Sequence, residues 1–290
     1  MRPITVVVKG YGYWGTILAR VFAAHPGFNL LRVEDSDPVR QIVANEMYGW
    51  DTGVPLAVVI ATPANTHAAV ARQALMLGQH VWVEKPAATT LLEYYSMSEM
   101  AQEMNLTLFT DHTYVHHPAI KKMKALMPTG DFDYYVSKRL NKTTHRTDTD
   151  VLGDLIPHDL AILDVLLDGQ EPTNVRWRPG DAGEGHAFLD WATHDFAADI
   201  WISWNHERKV REIAILGEHD ELAFTEDGLG PRLDRTYSSG LGHPVDIPTV
   251  EPLREAAWAF FDEISGTRIR DKQQAARILR TIDRLRGIGR

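Results

Sequence analysis

Up to about Asp111 the apolar positions of this chain fall into two rhythms that take turns. Continuous apolar runs rich in β-branched residues, the mark of strands buried on both faces, occupy residues 4–9, 28–33, 57–62, 80–84 and 107–110. Between them the apolar residues recur at helical spacing. Ile17, Leu18, Val21 and Phe22 run into a stop at His25-Pro26-Gly27, and further helices are predicted over 66–77 and 91–104. Parallel strands need crossover connections, so this alternation predicts a doubly wound parallel sheet.

The rhythm then changes. A helix over 119–127 leads into a strand over 133–140, a loop rich in threonine and charge, and a helix over 153–167 that stops at Asp168-Gly169. From Thr173 to Thr225 strand follows strand. Phe196, Ala198, Ile200, Ile202 and Trp204 alternate with Ala197, Asp199, Trp201, Ser203 and Asn205, giving one greasy face and one mixed face. The expectation is an α+β region with a mostly antiparallel open sheet and helices on one side. Helices over 252–264 and 272–286 close the chain. The domain expectation is therefore 1–112 and 113–290, the closing helices being candidates to pack back on the first domain.

Composition narrows the chemistry. A formal charge of -9 opposes binding to nucleic acid or an acidic membrane surface. A single nucleotide is still admissible, because a local cradle of backbone N–H groups can oppose the global sign. The absence of cysteine excludes disulfides, thiolate metal sites and cysteine nucleophiles. No apolar run approaches the roughly 20 residues that span a bilayer, and the amino terminus enters a strand directly. A soluble, cytoplasmic protein is expected.

Three strings carry candidate chemistry. Gly10-Tyr11-Gly12-Tyr13-Trp14-Gly15 follows a strand, opens a helix, and has an acid twenty residues on at Asp35. That context is the dinucleotide fingerprint: Gly10 for the tight turn, Gly12 for close approach of the pyrophosphate, Gly15 for helix packing. Asp35 would accept the adenosine ribose hydroxyls and repel a 2′-phosphate, favouring NAD over NADP; a plain turn residue before Asp37-Pro38 is the competing reading. Lys9, beside the first glycine, is expected to reach solvent. Ala61-Thr62-Pro63 and Glu84-Lys85-Pro86 end two parallel strands, where the ligand crevice of such sheets lies. Lys85 is placed to steady an oxyanion, although a surface lysine in a turn competes. Asp154 and His158 are four apart on a helix, so the imidazole can act as a general base beside a carboxylate. An ion pair on the helix surface competes here, and Pro157 suggests a late start or a kink. His112, His116, His117 and His145 invite a metal site, but the neighbouring strand and Pro118 disfavour it, and no metal is assigned.

Over nearly its whole length the chain resembles the Gfo/Idh/MocA oxidoreductases. The resemblance runs through the glycine string, Val59-Ile60-Ala61-Thr62-Pro63, residues 80–86, the Asp154…His158 helix and Glu251-Pro252-Leu253-Arg254. Residues 10–15, Asp111-His112-Thr113-Tyr114, Arg139-Leu140-Asn141, Arg146-Thr147-Asp148 and residues 151–155 look closer to its nucleotide-sugar 3-dehydrogenases. The resemblance implies a Rossmann domain, bound NAD, and catalysis by Lys85, Asp154 and His158. It implies cofactor contacts at Gly10, Gly12, Tyr13, Trp14, Gly15, Asp35, Ser36, Ala61, Thr62, Pro63, Asn65, His67, Glu84, Lys85 and Pro86. Substrate contacts are implied at Lys85, His112, Tyr114, Asn141, Arg146, Asp154 and His158. The implied reaction oxidises a secondary hydroxyl of a nucleotide-linked pyranose at C3, in a homo-oligomer (dimer or tetramer) formed through the second sheet. A free polyol such as inositol, or a silent dinucleotide-binding sensor, are the alternatives. One departure stands out: only about twenty residues separate Asp37 from Ala57, where the family fits helix, strand and helix. An edge strand is expected to be missing.

Overall fold

The computed structural model describes residues 2–142, 146–181, 183–192, 195–227, 229–268 and 271–287. In chain order the elements are β1 (Ile4–Lys9), α1 (Tyr13–Ala24), β2 (Phe28–Glu34), α2 (Pro38–Tyr48), β3 (Ala57–Ile60), α3 (His67–Met76), β4 (His80–Glu84), α4 (Leu91–Glu103) and β5 (Leu108–Asp111). There follow α5 (Pro118–Leu126), β6 (Phe132–Lys142), α6 (Val151–Leu166), β7 (Asn174–Pro179), β8 (Glu184–Trp191), β9 (Phe196–Ser203) and β10 (Asn205–Gly217). The remainder are β11 (Asp220–Asp227), β12 (Gly230–Tyr237), β13 (Gly242–Pro244), α7 (Pro252–Ile264) and α8 (Gln274–Leu285). They group into two compact units, Met1–His112 with Glu251–Lys272, and Thr113–Val250 with Gln273–Arg290. Helix α7 therefore belongs to the first unit and α8 to the second.

The first unit is a five-stranded sheet in the order β2-β1-β3-β4-β5, parallel throughout. Val6, Val8, Val59, Trp82 and Phe109 line one face and pack with Phe22 of α1 and Phe260 of α7. Trp82 is the hub, stacked on Phe109 at 4.6 Å and met edge-on by Phe22 at 5.3 Å. Val7, Val58, Val81 and Val83, the alternate residues, are equally buried, which is why these strands read as unbroken apolar runs.

The missing edge strand is replaced by side-chain chemistry. Asp37 caps α2, its Oδ1 accepting from Val39 N at 2.9 Å, with Pro38 at the first helical position. From that helix Asn45 bonds both backbone groups of Val33, Oδ1 accepting from Val33 N and Nδ2 donating to Val33 O, each at 3.0 Å. Asp51 N adds a bond to Leu31 O at 2.8 Å. An amide side chain thus occupies backbone groups that a neighbouring strand would otherwise pair. Lys9 differs from expectation. It lies opposite Glu34 in the β1–β2 register and pairs with it at 3.4 Å, because the sheet edge brings the acid alongside.

The second unit is an eight-stranded sheet in the order β13-β12-β11-β10-β6-β9-β8-β7. Among its described strands every pair is antiparallel except β6 with β9. Ile156, Leu160 and Leu163 of α6 and Ile278 and Ile282 of α8 pack with Tyr135, Ala198, Ile200, Ile213 and Phe224. On the other face Trp201 stands 47% exposed. The strands continue past Thr225 into β12 and β13, which apolar alternation does not mark. Leu233 is the one buried residue of β12, so pairing with β11 rather than a greasy face holds it. Helix α6 begins earlier than expected, at Val151, and runs through Pro157. Asp150 caps it through Gly153 N at 2.7 Å, and burial of most of the helix outweighs the hydrogen bond that proline removes.

Candidate functional site

The first unit presents the glycine turn at the carboxyl end of β1. Gly10 has φ +92, and a Cβ there would lie 2.5 Å from Ala61 O. A Cβ on Gly15 would lie 1.9 Å from Gly10 O, so α1 can follow the turn this closely only from a glycine. Gly12 is different: nothing lies within 4 Å of its Cβ position. Gly12 is also the N-cap of α1 and makes no side-chain cap bond, leaving the first-turn N–H groups and the positive helix end for an anion. These features fit a dinucleotide pyrophosphate. Asp35 closes the turn, Oδ2 accepting from Tyr11 N and Oδ1 from Asp37 N at 2.7 Å. Tyr13 and Trp14, edge to face at 5.8 Å, flank the cradle, and Tyr13 is largely exposed.

The ends of β3 and β4 are tied by His67. Its Nε2 lies 2.8 Å from Thr62 O and its Nδ1 lies 2.8 Å from Pro86 O. The ring is buried and spans two loops, a task that spacing along the chain does not reveal. Ser36, Pro63 and Asn65 are exposed, whereas Glu84, Lys85, Pro86 and His112 are buried and Ala61 and Thr62 half-buried. The Lys85–Pro86 peptide is cis. Glu84 stands opposite Asp111 in the β4–β5 register. Burial, and then Asp111 beside it, push the Glu84 carboxyl well above the usual carboxylate range.

The second unit holds the remaining candidates. Asp154 and His158 share a face of α6, as their spacing requires. The buried Asp154 accepts from Trp204 Nε1 at 2.9 Å through Oδ2 and from Arg146 Nη1 at 3.2 Å through Oδ1. Arg146 also chelates Asp148, at 2.7 and 3.0 Å. Asn141 accepts from Arg211 Nη2 at 2.7 Å. Tyr114 lies in a 3-10 turn, Thr113–His116, and its hydroxyl donates to Glu226 at 2.7 Å. Burial dominates the rise in the Tyr114 pKa, with Arg139 opposing it and Glu226 adding to it. His117 caps α5 by accepting from Ala119 N at 3.0 Å through Nδ1. His145 lies outside the described residues.

Sequence reasoning missed Trp204 as a ligand of Asp154, and it missed the buried pair Arg139–Asp159, at 2.7 Å. Burial works against the Arg139 charge, but Asp159 outweighs it and holds the guanidinium above its ordinary pKa. The alternation of β6 places Arg139 on the same buried face as Tyr135 and Ser137, but in sequence that face runs Asp133, Tyr135, Ser137, Arg139, Asn141, so no apolar stripe marks it as buried.

Residues 4–112 match the oxidoreductase family with an NAD-binding Rossmann fold. A 121-residue stretch is 40% identical to UDP-N-acetylglucosamine 3-dehydrogenase from Acidithiobacillus ferrooxidans, covering 41% of this chain and 38% of that protein. An uncharacterized oxidoreductase, YdgJ of Escherichia coli, is 30% identical over 137 residues, 44% of this chain and 39% of that one. The chain thus spans well under half the length of these curated relatives in the matched stretches. The solved structure of the Acidithiobacillus enzyme aligns over 99% of this chain and 98% of its own, with a TM-score of 0.87 at 26% identity. A mutant of the 3-ketoreductase KijD10 from Actinomadura kijaniata, in complex with TDP-benzene and NADP, shares the fold at a TM-score of 0.88. It is 18% identical, and the alignment covers 99% of this chain and 98% of that one.

Proposed function

Because residues 4–112 belong to the Gfo/Idh/MocA oxidoreductase family, with its NAD-binding Rossmann fold, we propose that this protein is an NAD(P)-dependent dehydrogenase acting on a sugar hydroxyl. The substrate is a nucleotide-linked pyranose, oxidised at C3 to the ketone. The observation that carries the reading is the glycine turn, closed by Asp35 yet open at Gly12, where a pyrophosphate can approach the backbone. Asp35 also supports NAD over NADP, since its carboxylate repels a 2′-phosphate. The nucleotide-sugar substrate is supported by UDP-N-acetylglucosamine in one relative's name and TDP-benzene in another's structure.

A bound nicotinamide would supply the hydride acceptor. The chain's own groups do the rest. His158 takes the hydroxyl proton on a ring nitrogen, and Asp154, pinned by Trp204 and Arg146, provides a fixed negative charge one helical turn away that supports the imidazolium. Lys85 donates to the alcohol oxygen as negative charge grows on it. The half-exposed sheet face around Trp201 serves a homo-oligomer.

Incubation with NAD or NADP and a panel of nucleotide sugars and free sugars, followed at the absorbance of the reduced cofactor, tests the reading. Turnover of a nucleotide sugar is expected, and activity confined to free polyols would overturn the substrate assignment. Lys85→Ala is expected to abolish turnover while cofactor affinity, measured by calorimetry, is largely kept. An active Lys85→Ala variant would refute the role of the lysine.

A further inference from the structure

Asp159 follows His158 directly on α6, but a helix turns about 100° per residue, so the two side chains leave it in different directions. Asp159 is buried in the core and accepts from Arg139 Nε at 2.7 Å. The Arg139 guanidinium lies 4.5 Å from the centre of the Tyr114 ring, and its buried Nη1 has no hydrogen-bond acceptor among the described residues. The aromatic face supplies the electron density that an acceptor would otherwise provide. At the other end of Tyr114 the hydroxyl is held by Glu226 at 2.7 Å. With face and tip both fixed, the ring meets His158 edge to face, at a centroid distance of 5.4 Å and 73° between planes. The contacts form a circuit that leaves α6 at Asp159 and returns to it at His158.

We infer that Tyr114 is a positioning residue for His158: the Asp159–Arg139 pair and Glu226 fix its ring, and the ring restricts rotation of the imidazole about its side-chain bonds. The inference rests on His158 as the proton acceptor. It also moves Tyr114 from the substrate contact implied by family resemblance to support of the base. A general base is useful only when held near its productive angle, and a misplacement of about 1 Å can cost on the order of 100-fold in rate. Nothing in the circuit depends on sequence proximity, since Tyr114, Arg139 and Glu226 come from a turn and two strands.

Two variants separate this role from its rivals. Tyr114→Leu removes the ring, whereas Tyr114→Phe keeps it and loses only the bond to Glu226. For the leucine variant kcat is expected to fall on the order of 100-fold with KM nearly unchanged, and for the phenylalanine variant by only a few-fold. In parallel, the imidazole C–H resonance of His158, assigned by its loss in His158→Gln, should carry a ring-current displacement that persists with phenylalanine and vanishes with leucine. A leucine variant with raised KM and retained kcat would make Tyr114 a substrate contact. A His158 resonance identical in wild type and leucine variant would remove the ring contact. Either result overturns the inference. If the wild-type protein oxidises no sugar, the dehydrogenase reading has failed, and the resonance comparison then decides the positioning role by itself.

Discussion

The two units build their candidate chemistry from different materials. In the first, the cradle is backbone: glycines at residues 10, 12 and 15, a bare helix end, and one carboxylate that accepts two main-chain N–H groups. In the second, it is a mesh of charged and aromatic side chains. Asp154 is gripped by Trp204 and Arg146, and Tyr114 sits among Arg139, Glu226 and His158. A backbone site needs only small residues at fixed offsets, so it survives on local geometry. A side-chain mesh has to be assembled by the whole sheet, and each member is exposed to the loss of its partner.

The sharpest test of that difference is Arg139→Met. It strands Asp159 in the core without its counter-charge, and urea denaturation is expected to show a loss of about 3–5 kcal/mol. Replacing both residues by apolar ones should recover much of that loss; no recovery would mean that the mesh depends on more than this pair. Gly15→Ala is the counterpart in the first unit. Its Cβ would lie 1.9 Å from Gly10 O, and dinucleotide affinity by calorimetry is expected to fall on the order of 100-fold, about 3 kcal/mol. Gly12→Ala, with nothing within 4 Å, should leave the unfolding midpoint unchanged and weaken only the cofactor. An equal loss of stability in both variants would break the distinction between packing glycine and ligand glycine.

Asn45→Ala tests the surrogate edge of the first sheet. Two bonds to Val33 are lost, and a decrease of about 1–2 kcal/mol is expected, together with a greater tendency to associate as the edge opens. The smallest effect is the pH response, which the units share. His25 and His80 in the first unit and His117 and His186 in the second all have lowered pKa values, with burial as the leading cause. Each is neutral in the fold at a pH where the unfolded chain is already protonated. Their contribution is therefore complete above about pH 6.5 and is lost as pH falls toward the folded values. Through these four histidines the unfolding midpoint should decline gently as pH falls below about 6.5 toward about pH 5, and His25→Gln should flatten part of that decline. Glu84 works the other way. Its raised pKa gives stability that is complete below about pH 4.3 and is lost as pH rises, so Glu84→Gln should stabilise the protein near neutrality.

The alternation of apolar runs and helical spacing placed the first sheet, because each strand buried on both faces announces itself within a few residues; its shortened edge was legible only against the family resemblance. It did not place β12 and β13, whose residues are mostly polar and are held by pairing with neighbouring strands. Asn45 and His67 belong to the same class of omission. One finishes a sheet edge and the other ties two loops, and neither task leaves a periodic trace.

By itself, then, the chain determined whatever depends on neighbours within a turn or a strand: the glycine cradle, the shared face of Asp154 and His158, the rhythm of the first sheet and that of the second as far as Thr225. The tertiary structure alone decided which partners hold those groups. Trp204 reaches Asp154 from fifty residues away, and Glu226 reaches Tyr114 from 112 residues away. Local backbone preference acts over a few residues and is written in order along the sequence. A side-chain partner is chosen by proximity in space, which exists only once strands far apart in the chain have been laid beside one another.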